Sequence, residues 1–235
     1  MTRLLYVCLD GLGDDPIPEL DGRTPLEAAP TPFLDALASR GRTGTTVTVG
    51  PGIAPESDIG VFAILGYPPH EEHPGRGILE AMGIGMDVRD GDLAYRINFA
   101  TCDWPHIVDR RVGRTLTSEE SRALAEEVNA SVTLPGASFD LRATIEHRGA
   151  LVIRANEPLS AGVTNTDPAY ERQGHLGVAL ETFEPSVVTA EPTDGSPSAA
   201  HAAPLPTRSS REPPRSWTTQ RSTCAAARPD SCPRT

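Results

Sequence analysis

Residues 4–9, LLYVCL, are one continuous apolar run that stops at Asp10-Gly11. A short run without polar alternation, closed by a turn pair, predicts a strand buried on both faces, as in a parallel sheet. Ligands in open α/β sheets collect at the carboxyl ends of strands, which places Asp10 where a metal or substrate would be met. An aspartate before glycine also simply starts a turn. The segment TPFLDALASRG predicts a helix with Phe33, Leu34, Leu37 and Ala38 on one face and Gly41 as its stop. TGTTVTVG then reads as a second strand, and the loop GPGIAPE leads into a helix, SDIGVFAILG. This β-α-β-loop-α order fits a doubly wound α/β layer.

Ser57 opens that last helix. A hydroxyl at a helix start lies beside free backbone N–H groups and the positive end of the helix dipole, which also favour an arriving phosphate. Asp10 and Ser57 together therefore suit phosphoryl transfer. Taken singly, Ser57 is equally an N-cap.

Composition narrows the partners. The chain of 235 residues carries a formal net charge of -11, and all 21 basic residues are arginine, which argues against a general nucleic-acid binder. No apolar stretch approaches the roughly 20 residues of a membrane span, and no basic-apolar-small leader opens the chain. The expectation is a soluble, cytoplasmic protein with neither nucleic-acid nor membrane partners. The four cysteines spell neither a zinc site nor a disulfide frame, and the histidines show no metal-ligand spacing.

From about His70 the pattern changes to short strands around one clear helix. DLAYRINFAT and HIVDRRVGR read as strands, and TSEESRALAEEVN carries a capping box from Thr117 to Glu120, with Leu124 and Val128 on its apolar side. SFDLRATIEHRGALVIRA reads as a hairpin turning near His147 to Gly149. The expected organisation is an α/β core over 1–69, an inserted α+β cap over 70–190, and a tail over 191–235. More than two thirds of residues 204–235 are Pro, Ser, Thr or Arg, a composition that builds no core, so the tail is expected to be disordered.

LDGLGD, TPLEAAPTPFLDALASRG, PGIAPESDIGVFAILGY, GRGILEAMGIGM, GDLAYRINFAT, VDRRVGR and VTNTDPAY stand in one order along the chain. In that order they resemble the archaeal-type, 2,3-bisphosphoglycerate-independent phosphoglycerate mutases, a branch of the alkaline phosphatase superfamily. One local departure is GDDP in place of Gly-Asp-Arg-Pro. The resemblance implies an alkaline-phosphatase-like core and an isomerase that interconverts 3-phosphoglycerate and 2-phosphoglycerate through a phosphoserine on Ser57. It implies a divalent metal bound by Asp10 and Ser57, manganese or magnesium with zinc or cobalt as alternatives, and no 2,3-bisphosphoglycerate. Coordination to a dication lowers a hydroxyl pKa and so activates a serine that is otherwise a weak nucleophile. In the cap, Asn98, Asp103, Arg110 and Arg111 match as substrate-binding residues, since a guanidinium fork holds phosphate or carboxylate through two hydrogen bonds. Arg110 and Arg111 read as strand neighbours, which puts them on opposite faces and lets only one reach the substrate. Asn98 and Asp103 also fit ordinary strand-end and turn positions.

The family draws further metal ligands from Asp-x-x-Gly-His and Asp-His motifs, and this sequence contains neither. With GC-rich codons assumed, another reading frame over 209–235 spells a continuation resembling the family, so a truncation or frame shift after about residue 203 is expected. Uncovered strand edges and poor solubility should follow. Two alternative functions are an inactive remnant that keeps Asp10 and Ser57, and a related phosphatase or phosphonate enzyme. The residues leave the oligomeric state open.

Overall fold

The computed structural model describes residues 3–9, 11–53, 55–103, 106–173, 176–205 and 223–225. They divide into two compact units, Met1–Ile64 and Leu65–Thr235.

The first unit holds three α-helices, α1 (Pro25–Ala28), α2 (Pro32–Arg40) and α3 (Ser57–Ile64). Proline at the first position of α1 and of α2 sets φ where no N–H is needed. Thr24 and Glu27 close a reciprocal capping box on α1. α2 ends as expected at Gly41, whose N–H donates to the Leu37 carbonyl. The expected strands are absent: neither 3–9 nor 43–50 is in a ladder, and Leu4 and Leu5 are 94% and 85% exposed. Apolar pattern favours burial, but a strand exists only when a neighbour takes up its N–H and C=O groups, and no described strand lies beside either segment. Phe33, Leu34 and Leu37 on α2 are likewise exposed.

The second unit is α+β. Two short helices, α4 (Pro69–Glu72) and α5 (Arg76–Gly83), precede β1 (Leu93–Asp103) and β2 (His106–Asp109). Then come α6 (Ser118–Ser131), β3 (Ala137–Ala143), β4 (Arg148–Ala155), β5 (Tyr170–Gln173), β6 (Leu176–Ala179), α7 (Pro197–Ala202) and β7 (Thr223–Ala225). The main sheet runs β2-β1-β4-β3 with antiparallel neighbours, β7 also pairs with β1, and β5 and β6 form a separate ribbon. The doubly wound order expected of the N-terminal part is thus not formed by the described residues, whose ladders are all antiparallel.

Period-two alternation along β1 sorts its side chains. Leu93, Tyr95, Ile97 and Phe99 join Leu141, Leu151 and Ile153 under α6, which contributes Ala125 and Val128. Ala94 faces the other way, toward Ala81 of α5, Met86, Ala150 and Val152. The Thr117–Glu120 capping box forms in both directions, as the sequence predicts. Asn129 on α6 then donates to the Leu141 carbonyl and accepts from the Leu141 N–H, occupying backbone groups of a strand at the sheet edge.

Two boundaries differ from expectation. The β3–β4 connection spans 144–147, with Glu146 at φ 52, so the hairpin turns through His147 as expected, but Gly149 already belongs to β4. Residues read as the start of the tail are packed: α7 forms, and Ala202, Ala203 and Leu205 are buried in the main core. An Ala-rich helix and a single Leu in the turn that follows it pack on one side of that core, which the composition of the segment as a whole conceals.

Candidate functional site

Of the six residues singled out from the sequence, Asp10 lies outside the described residues. Ser57 is the first residue of α3 and is exposed. The Gly60 N–H donates to the Glu56 carbonyl, so the helix ladder starts immediately before the serine. Among the described residues, no three His, Cys, Asp or Glu side chains group as a metal site. They do not by themselves make a metal centre.

In the second unit, Asn98 lies in a basic neighbourhood on the sheet. Asn98 is buried on β1, directly across from Arg148 of β4, and two residues from Arg96 on the same face. Its Oδ1 accepts no hydrogen bond among the described residues. Arg96 and Arg76 both approach Oε1 of Glu80 on α5, at 3.7 and 3.6 Å. Burial does most to pull the Arg96 pKa below its ordinary value, and the charge of Arg76 adds to this, as that of Arg148 does more weakly. Tyr170 and Glu80 act in the opposite sense. A cation pressed in this way gains from any further anion brought to it.

Arg110 stands in a turn that follows β2, not on a strand, and Arg111 is the next turn residue. The expectation of opposite strand faces is therefore corrected. The strand ends at Asp109 because Asp109 Oδ1 takes the Arg111 N–H at 2.7 Å, closing a local turn. Val112, Gly113 and Arg114 follow at φ 51, 61 and 56, a left-handed run that is costly at β-branched Val112. Such strain persists only where surrounding contacts overdetermine it, and half-buried Val112 packs against the main core.

The Arg110 guanidinium meets Asp167 side-on: Nε donates to Oδ1 at 2.8 Å and Nη2 to Oδ2 at 2.5 Å. It also lies over the rings of Tyr170 and Phe183, 5.2 and 5.4 Å from their centroids. Burial works against its charge, but hydrogen bonding and charge from Asp167, joined by Tyr170, outweigh burial and raise its pKa. Tyr170 thus acts on both Arg96 and Arg110 and ties the two halves of the cluster together.

Asp103 and Arg111 make no direct contact with Arg110 among the described residues. Asp103 is exposed at the end of β1, opposite His106. The Arg111 charge acts instead on Asp109 and on buried His147. Among the described residues, no hydrogen bond or ion pair joins either side chain to Arg110.

Sequence reasoning did not single out Arg76, Arg96, Arg148, Asp167 or Tyr170. One signal was available: the two-residue spacing that puts Arg96 on the face of Asn98. The pairing of positions 110 and 167 crosses 57 residues and has no local signature. The result is a basic surface on which Arg76 and Arg96 share Glu80 on the sheet face bearing Asn98 and Arg148, while Arg110, paired with Asp167, is linked to Arg96 through the charge of Tyr170. It can hold an anion such as a phosphate or a carboxylate.

The chain is 48% identical over 194 residues to the 2,3-bisphosphoglycerate-independent phosphoglycerate mutase of Aeropyrum pernix, a match covering 81% of this chain and 45% of that protein. With the enzyme of the same name from Methanopyrus kandleri it shares 42% over 207 residues, 86% of this chain and 46% of the relative. A solved cofactor-independent phosphoglycerate mutase from Thermoplasma acidophilum superposes with a TM-score of 0.44 at 39% identity, covering 83% of this chain and 47% of that one. The chain spans about half the length of the curated relatives it matches. Residues 38–211, which run from α2 through Ser57 and across the arginine-bearing sheet, match the family profile, and the chain belongs to the 2,3-bisphosphoglycerate-independent phosphoglycerate mutase family.

Proposed function

We propose that this chain carries the nucleophile and an anion-binding face of an isomerase that interconverts 3-phosphoglycerate and 2-phosphoglycerate. The supporting observation is the excess of arginine in the second unit: Arg76 and Arg96 share the one carboxylate of Glu80 on the sheet face that also bears Asn98 and Arg148, and Arg110 pairs with Asp167. Phosphoglycerate carries a phosphate and a carboxylate, and both are ligands that a guanidinium binds well. The relatives' names supply the substrate.

In this reading Ser57 Oγ attacks the phosphorus of the bound ester. The P–O bond to one glycerate hydroxyl breaks, the Ser57 proton goes to that oxygen, and phosphoserine forms. The other glycerate hydroxyl then attacks the phosphoserine, the P–O bond to Ser57 Oγ breaks, and the attacking hydroxyl's proton passes to Oγ, regenerating Ser57. The arginine face retains glycerate between the two transfers and screens its charge. A divalent cation, manganese or magnesium, with Asp10 and Ser57 among its ligands, would lower the Ser57 pKa. We place the reaction in the cytoplasm, with the 1–69 segment as core and the 70–190 segment as substrate-binding cap.

A second reading rests on the arginine surface alone. It is a chain that binds phosphoglycerate without turning it over. A coupled assay for 2-phosphoglycerate with added manganese separates the two. Turnover that Ser57→Ala abolishes, with 3-phosphoglycerate binding retained, supports the isomerase. Binding without turnover in the unchanged chain supports the second reading, and the absence of binding defeats both.

A further inference from the structure

Arg110 differs from the other arginines of the cluster in how completely its orientation is determined. Asp167 takes the Nε and Nη2 hydrogens side-on, and the rings of Tyr170 and Phe183 lie against the guanidinium. The carboxylate is held in turn, since Asp167 Oδ1 also accepts the Ala169 N–H at 3.1 Å. Arg110 and Asp167 are each about one fifth exposed, so the pair is partly withdrawn from water while remaining reachable. By contrast, Arg96 approaches Glu80 at 3.7 Å, beyond hydrogen-bond distance.

A guanidinium has two edges that can bind a two-oxygen anion, Nε with one Nη and the pair of Nη atoms. With Nε committed to Asp167, only the edge bearing Nη1 can turn to a ligand. We infer that Asp167 is a positioning residue, which holds Arg110 side-on so that its Nη1 edge receives an anionic oxygen of phosphoglycerate. The inference rests on the substrate reading above. Its physical content is that orientation outweighs charge: Asp167 makes the site less positive, yet the site binds better with it in place. A fixed guanidinium loses less side-chain freedom when the ligand arrives.

Charge alone and positioning predict opposite signs for Asp167→Asn. Removing the carboxylate makes the site more positive by one unit, so a purely electrostatic site binds 3-phosphoglycerate more tightly. Positioning predicts binding weaker by about three- to tenfold, with Asp167→Glu recovering part of the loss and Arg110→Met weakening binding by about tenfold or more. Titration calorimetry of the full chain with 3-phosphoglycerate reads all four proteins. Equal or tighter binding by Asp167→Asn overturns the inference while leaving the substrate reading intact. Absence of binding by the unchanged chain overturns the substrate reading itself.

A second measurement needs no variant at Asp167. The Nε–H resonance of Arg110, assigned by its loss in Arg110→Met, should stay in place and exchange slowly on addition of 3-phosphoglycerate, because the Asp167 bond is kept. A large shift or rapid exchange of that proton on saturation would show that the ligand displaces Asp167, and would overturn the inference.

Discussion

Gly77 of α5 lies directly against the backbone of Ala94 on β1: a Cβ at position 77 would sit 2.1 Å from the Ala94 carbonyl oxygen and 2.7 Å from the Tyr95 Cα. The obstacle is main chain, which no rotamer change can clear. This close approach lets α5 carry Arg76 and Glu80 onto the sheet face that bears Arg96 and Asn98.

Gly77→Val should therefore push α5 off the sheet. Overpacking of this kind costs about 1–3 kcal/mol, and 3-phosphoglycerate binding should fall with it because Arg76 and Glu80 move. Urea unfolding and calorimetry on the same sample check both effects. A variant with unchanged midpoint and affinity would refute the packing role assigned to Gly77.

Core truncation should be costly on the opposite face. Leu151 and Ile153 are almost wholly buried under α6, and either one replaced by alanine should lose about 2–5 kcal/mol, the range for cavity formation in a packed core. Equilibrium denaturation followed by circular dichroism reads the loss.

Thr117→Ala tests the capping box at the start of α6. The Thr117 hydroxyl accepts the Glu120 N–H at 3.2 Å, and Glu120 reaches back to the Thr117 N–H at 2.9 Å. Removing such a cap costs about 1 kcal/mol. The expected result is a lower unfolding midpoint with no change in 3-phosphoglycerate affinity, since α6 packs on the face away from the arginine cluster.

His147 should make stability depend on pH. Burial lowers its pKa, the charges of Arg148 and Arg111 lower it further, nearby Glu146 opposes this, and Arg96 adds a weaker push down. Asp109 is the other charged group coupled to it. Because the folded state favours neutral imidazole, the unfolded chain takes up the proton first, near the ordinary value of about 6.5. Stability should then fall as pH drops below that value and level off once the folded imidazole is also protonated. His147→Gln should flatten this slope between pH 5 and 8 in urea titrations. An identical slope in both proteins would exclude His147 as its source.

Elements stabilised within a few residues were legible in the sequence. α2, its Gly41 stop and the Thr117–Glu120 box depend on contacts spanning one helical turn, and all three form. The β3–β4 hairpin was legible in kind and its turn includes His147, with Glu146 in the left-handed conformation, though Gly149 lies in β4 and not in the turn. Residues 4–9 show the limit of pattern reading. An apolar run records a demand for burial and does not create the neighbouring strand that would meet it.

For the candidate site, residue types and motif order determined the family, the position of Ser57 at a helix start and the candidacy of Asn98 and Arg110. Only tertiary structure decided that Asn98 faces Arg148, that Arg96 belongs to the same cluster, and that Asp167 grips Arg110 across 57 residues of chain. The physical reason is the range of the interactions involved. Helix caps and turns are written in neighbouring residues, whereas a charge cluster is defined by strand register and by which loop folds back over the sheet.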